Sequence, residues 1–110
     1  MVIRYWPADR DEAVEMLTLM SGDSHLVISA VCIANKDKRV VFDDTTKVYF
    51  KELTQSEIEH YVDYCQPFDK AGAYGIQEWI GMIGITKIEG SYFNVVGLPV
   101  QKVYEALRQF

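Results

Sequence analysis

The residues best suited to chemistry lie between 69 and 77, in the run Asp69-Lys70-Ala71-Gly72-Ala73-Tyr74-Gly75-Ile76-Gln77. A lysine among small residues and glycines suits an anion site. Short side chains let backbone N–H groups approach phosphate oxygens, and the ammonium adds a mobile positive charge. Gln77 ends the run with a two-way amide that can read a base edge. The run is not a P-loop, since GxxxxGK[ST] is absent. On spacing alone the ordinary reading is a solvated lysine in a tight loop, fastened by an amide. Asp69 is the nearest metal-ligand candidate, by its proximity to Lys70. Asp9, Asp11, Glu12 and Glu15, on or before a first helix, and Asp43-Asp44, in a turn, are expected to cap or to face solvent. No general base and no metal ligand set is read from them. His25 and His60 lack the spaced partners of a zinc site. Cys32, inside an apolar run, and Cys65, on a helix face, form no CxxC pair and are expected to be buried free thiols. Tyr74 and Trp79 have faces for stacking on a base, but aromatics beside an apolar run belong more often to a core.

The elements that must position these residues follow from periodicity and punctuation. Asp9-x-x-Glu12 opens a first helix like a capping box, and Ala13, Met16, Leu17 and Met20 make one apolar stripe that stops at Ser21-Gly22-Asp23. Leu26 to Ala34 is predicted to be a strand buried on both faces. Val40 to Phe42 and Lys47 to Phe50 read as two short extended runs around a turn at Asp43 to Thr46. Thr54-x-x-Glu57 repeats the capping signature, with Ile58, Tyr61, Val62 and Cys65 as the stripe of a second helix ending before Pro67. Residues 66 to 77 read as a structured loop, because Pro67, Gly72 and Gly75 break any helix. Ile80 to Ile88 reads as extended, Gly81 and Gly84 marking a bulge or a close approach by another backbone. Ser91 to Val96 also reads as extended. Ser91, Tyr92 and Asn94 are expected to pack the glycine turn at Gly97 and start the last helix. Pro99 then opens that helix, whose stripe Val100, Val103, Tyr104 and Leu107 is expected to pack on the sheet. The fold class is α/β: a mixed sheet flanked by helices, in one domain over 1–110.

Composition excludes other classes. Half the residues are apolar and 25 % are charged, so the chain buries a core instead of staying disordered. A net charge of −5 lacks the basic footprint of a nucleic-acid polymer binder. No apolar run reaches the roughly 18 residues that span a bilayer. The start Met1-Val2-Ile3-Arg4-Tyr5-Trp6-Pro7 shows no signal-peptide pattern, which makes a cytoplasmic protein the expectation.

DKAGAYGIQ at 69–77, followed by IEGSYFNVVGLP at 88–99, resembles the paired signature of the Maf family, the septum-formation-inhibitor-like nucleoside triphosphate pyrophosphatases. PADRDEAVEMLTLMSG at 7–22 with His25, Thr46 to Phe50, and LTQSEIEHYV at 53–62 resemble the same family in order and spacing. The resemblance covers nearly the whole chain. It implies a fold like that of the Maf and inosine triphosphate pyrophosphatases, and a hydrolase that splits a nucleoside triphosphate between its α and β phosphates. The DKAGAYGIQ form is similar to the branch acting on dTTP and UTP. By position, the resemblance makes Lys70 a phosphate contact and Gln77 a specificity residue near the base. It also implies a divalent metal, Mg²⁺ or Mn²⁺, and, because family members are often dimeric, a homodimer as one assembly.

The chain departs from the family pattern at several places. It resembles the C-terminal portion of a member, without the family's N-terminal strand, the SxSPRR loop that holds phosphates, or the GADT strand end whose aspartate is the proposed base. Trp6 stands where the family usually has lysine, Gln66 replaces an acidic residue, and Glu78 replaces a common glycine. The expectation is therefore a dTTP/UTP pyrophosphatase domain with little or no hydrolysis in this chain. The alternatives are a non-catalytic nucleotide-binding remnant and a protein-interaction domain.

Overall fold

The computed structural model describes residues 6–110. The opening residues 1–5, part of the segment searched for a signal peptide, lie outside the described residues. Helix α1, Arg10–Met20, begins where the Asp9 side chain accepts the Glu12 N–H at 2.9 Å, and it buries the predicted stripe of Ala13, Met16, Leu17 and Met20. Helix α2, Gln55–Cys65, has a complete capping box. Glu57 N–H donates to Thr54 Oγ1 at 3.1 Å, while Thr54 N–H donates to Glu57 Oε1 at 2.9 Å. Two orphan donors are satisfied at once, so Thr54→Ala is expected to cost about 1 kcal/mol of stability, measured by urea denaturation. Ile58, Tyr61 and Val62 of α2 face α1 across a core that also takes in Phe50, Leu53, Tyr74 and Ile76.

The sheet has the order β1-β2-β3 and pairs antiparallel throughout. Strand β1, Ser24–Ala34, was expected to be buried on both faces. It instead alternates between half-buried and exposed positions, with His25 its one buried residue. The strand lies at the sheet edge and is covered on one face, so Ile28, Ala30 and Cys32 point outward. That corrects the expectation for Cys32, which is exposed; Cys65 is half-buried, and both thiols are free.

Strand β2 runs unbroken over Arg39–Phe50, which removes the predicted turn at Asp43 to Thr46. Those residues pair with Ala30, Ser29, Ile28 and Val27, and cross-strand pairing with β-branched Thr45 and Thr46 overrides the low strand preference of the aspartates. The reversal comes earlier. Asn35 Oδ1 accepts from both Asp37 N–H and Lys38 N–H at 2.8 Å, a side-chain-built turn. Strand β3, Ile85–Glu89, then pairs with the far end of β2 between Lys47 and Phe50.

Two further segments predicted to be extended are helical. Trp79–Gly84 forms the short helix α3, and Gly81 does mark a close approach, as a Cβ there would collide with the Ile76 carbonyl. Gly84 sits on the Phe50 ring, whose Cδ1 and Cε1 would be 3.0 Å from an added Cβ. The glycines thus serve close packing, but of a helix. Tyr92–Val96 forms helix α4, capped by Ser91 Oγ accepting the Asn94 N–H at 3.2 Å.

The last helix, α5, spans Val100–Gln109 and buries none of its residues. Its predicted apolar stripe does not pack on the sheet: Val100, Tyr104 and Leu107 are 49 %, 59 % and 54 % exposed. What ties α5 to the hairpin is polar. Lys102 Nζ reaches Asp44 Oδ1 at 3.0 Å, and Lys38 Nζ donates to the Gln109 carbonyl at 3.1 Å. Among the described residues no helix is long and apolar enough to cross a membrane.

Candidate functional site

The segment after α2 cannot continue the helix, because Gln66 takes a left-handed conformation (φ 47°) and Pro67 follows. It becomes a single 3-10 turn, Ala71–Ala73, in which Gly72 and Ala73 have φ of 76° and 67°. A left-handed alanine costs about 1–2 kcal/mol. It persists because Ala73 is fully buried in the core beside α1. Three contacts from other elements hold the loop. The Trp6 indole donates to the Asp69 carbonyl at 3.0 Å, and the Tyr61 hydroxyl accepts the Gly75 N–H at 3.2 Å. The Tyr74 hydroxyl shares a 2.6 Å hydrogen bond with His25 Nε2, and Phe50 packs against both rings.

The result is a cleft of about 310 Å³, at the low end of the range for small-molecule sites. One wall carries Lys70, Gly75, Gln77 and Glu78 from the loop; the other carries Val27 from β1 with Val95 and Val96 from α4. The cleft thus combines a cation and an amide with apolar side chains, among them Ala71 and Ile76 of the loop. That pairing suits a ligand with a flat organic part and an anionic part. Lys70 and Gln77, singled out from the sequence, thus come to one cleft from the two ends of one loop. Tyr74 lines it too, from the core side, whereas Trp79 packs edge-on against His60.

The electrostatics of the cleft are specific. Lys70 Nζ lies 3.3 Å from Asp69 Oδ1 and 3.4 Å from Glu78 Oε1. Burial pulls its pKa down, but the hydrogen bond to Asp69 and the charge of Glu78 outweigh that, so it stands above the ordinary lysine value and the ammonium stays charged. Burial, above all, drives the Tyr61 and Tyr74 hydroxyls well above the usual tyrosine range, which keeps both protonated. Burial likewise lowers His25 to about 4, so its ring is neutral near pH 7.

Several residues at this site carry no motif in the sequence. Tyr61 reads as one more member of an apolar stripe, His25 as a histidine without metal partners, and Glu78 as a departure from pattern. Only the structure brings them to the loop. Asn94 is the plainest correction. Instead of packing the Gly97 turn, it is fully buried, and the two protons of its Nδ2 are shared among the Val27 carbonyl at 3.2 Å, the Asp44 carbonyl at 3.1 Å and Thr46 Oγ1 at 3.0 Å. It fastens the apolar wall to the sheet.

Among the described residues no three His, Cys, Asp or Glu side chains converge as a metal site. Asp69 and Glu78, the carboxylates nearest the cleft, are both engaged by the Lys70 ammonium. These residues do not fit a resident Mg²⁺ or Mn²⁺ ion.

Fold and site together define an α/β domain with a small cation-bearing cleft built on the 69–78 loop. The family described as Maf-like protein matches residues 1–110, and the chain belongs to that family. It is 57 % identical over 103 residues to a dTTP/UTP pyrophosphatase of Christiangramia forsetii, covering 94 % of this chain and 53 % of that relative. A protein of the same name from Bacteroides fragilis is 52 % identical over 103 residues, with the same coverage. One from Flavobacterium psychrophilum is 54 % identical over 98 residues, 89 % of this chain and 50 % of that one. The chain spans about half the length of the curated relatives it matches.

Proposed function

We propose that the cleft binds a pyrimidine nucleoside triphosphate, dTTP or UTP, and that it is the nucleotide-holding part of a pyrophosphatase releasing the monophosphate and pyrophosphate. The observation that carries this reading is that Lys70 and Gln77 line one cleft together with apolar Val27, Val95 and Val96. The names of the relatives support the same substrates. In that reaction a fixed ammonium stabilises charge building on the phosphoryl oxygens, a preorganised term that is often the largest in catalysis. In this reading the exposed Gln77 amide pairs with a pyrimidine edge by donating and accepting at once. A divalent ion is proposed only as the counter-ion that the triphosphate itself chelates.

Hydrolysis also needs an activated water, and the one carboxylate lining the cleft, Glu78, is already bound to Lys70 and Tyr61. Loss of a general base typically costs about 10² to 10⁴ in rate. The chain by itself is therefore expected to bind far better than it turns over. Calorimetric titration with dTTP and UTP, with a pyrophosphate-release assay beside it, tests the reading. Binding is expected, and it should weaken about tenfold in Lys70→Ala, the worth of one charge-assisted contact. Equal affinity in the parent chain and Lys70→Ala would overturn the proposal.

A further inference from the structure

Among the described residues Glu78 is the second charged residue lining the cleft, and it offsets the charge of the first. Its Oε1 sits 3.4 Å from Lys70 Nζ and accepts from the Tyr61 hydroxyl at 3.2 Å, while that hydroxyl in turn accepts the Gly75 N–H at 3.2 Å. The carboxylate is thus held in place from the core side. Gly75 leaves room for the pair to cross the backbone, because a Cβ there would come 2.5 Å from Glu78 Oε1 and 2.9 Å from Lys70 Cε. The two partners of Lys70 differ in exposure: the Asp69 side chain is 80 % exposed and that of Glu78 only 30 %. Solvent screens Asp69, whereas Glu78 acts inside the cleft.

We propose that Glu78 sets the affinity of this cleft for phosphorylated ligands, by occupying the Lys70 ammonium and repelling any anion that comes to take its place. The proposal rests on reading the cleft as a nucleotide site. An incoming phosphate must either displace the carboxylate from Lys70 or bind beside a like charge a few ångströms away, and both weaken binding. The effect is selective. A neutral nucleoside meets the same apolar wall and the same Gln77 amide but no repulsion, so Glu78 discriminates against the phosphate tail and leaves recognition of the base alone.

The test is calorimetric titration of the 110-residue chain and its variants with dTTP, inorganic pyrophosphate and thymidine. Glu78→Gln keeps the size and the acceptor for Tyr61 while removing the charge. It is expected to bind dTTP and pyrophosphate about tenfold more tightly, with thymidine affinity unchanged. Glu78→Asp, still charged, is expected to show no such gain. Glu78→Ser is a second neutral variant, well suited to the N-cap position that Glu78 holds on α3, and should show the same selective gain. The Lys70 ammonium, followed by NMR, is expected to titrate at lower pH in both neutral variants. Lys70-dependent dTTP binding in the parent chain that neutral variants leave unchanged or weaken would overturn the role of Glu78 and leave the nucleotide site standing. Failure of the parent and both neutral variants to bind dTTP or pyrophosphate would remove the site, and this proposal with it. An equal gain for thymidine would show a steric effect and also overturn it.

Discussion

Asn94→Leu is expected to lower the free energy of unfolding by about 3 kcal/mol, seen as a fall in the urea midpoint at unchanged slope. The side chain is fully buried, and its Nδ2 faces two main-chain carbonyls and Thr46 Oγ1. Carbonyl oxygens cannot donate, so the amide orientation is fixed by its partners. Thr46 spends its own proton on the Ser91 carbonyl at 3.0 Å, which leaves its oxygen to accept from Asn94. Leucine fills a similar volume, so most of the loss comes from buried acceptors left without donors, each worth roughly 1–3 kcal/mol. Part of that is offset, because Asn94 Oδ1 is itself buried without a partner and leucine removes it. Asn94→Asp keeps the shape but sets an oxygen against three oxygens, and should be worse. A loss below about 1 kcal/mol in Asn94→Leu would show that the brace carries little energy. Because Val95 and Val96 form a cleft wall on the same short helix, the variant should also weaken ligand binding.

Acidification from pH 6.5 to 4 is expected to remove up to about 3 kcal/mol of stability through His25 alone. Burial, the largest cause, lowers this histidine to about 4, and Asp23 opposes it. In the unfolded chain an ordinary histidine titrates near 6.5. Between those values the unfolded state holds more protons than the folded one, so stability rises with pH through the window and is complete above it. The physical cost is clear. A protonated ring would bring a charge to a position only 2 % exposed, with Nδ1 lacking a partner among the described residues and the other nitrogen already bound to Tyr74. Hydrogen bonds hold the carboxyls of half-buried Glu57 and exposed Asp63 and Glu89 below the usual carboxylate range. Their stabilisation is lost only at lower pH. Chemical denaturation as a function of pH should show the slope in the parent chain and a much flatter curve in His25→Phe between pH 4 and 6.5. An unchanged slope in that variant would assign the acid sensitivity elsewhere.

The helices that read correctly from the sequence, α1 and α2, are those whose caps and apolar stripes point to one answer. The failures occur where a local signal meets a tertiary one. Ile80 and Ile83 suggest a strand by composition, yet Gly81 lets the turn press onto the Ile76 carbonyl and a helix forms. Asp43 and Asp44 look like a turn, but their partners on β1 carry the strand through them. The α5 stripe is a correct helix signal whose burial partner is absent from the described residues, since periodicity says which face is apolar and not what covers it. At the site, Lys70 and Gln77 were legible because glycine-rich spacing and a family signature mark them. His25, Tyr61 and Asn94 lie in family-like stretches too, but their roles were not legible, because a buried hydrogen-bond partner is defined by long-range pairing, 49 residues apart for His25 and Tyr74.

The unequal lengths of the sheet's partners divide it mechanically. Among the described residues strand β2 is paired on both sides only from Lys47 to Tyr49, where β3 joins; from Arg39 to Thr46 it has β1 alone. The outer half of the hairpin has one row of rungs, and its amides are expected to exchange with solvent sooner than those of the inner half. The inner half opens only with the domain. Asn94 ties α4 to both strands at the boundary, through Val27, Asp44 and Thr46, so fluctuations of the outer hairpin stop just short of the cleft wall. Amide hydrogen exchange followed by NMR is expected to separate the two halves, fast in the outer hairpin and slow beside the cleft.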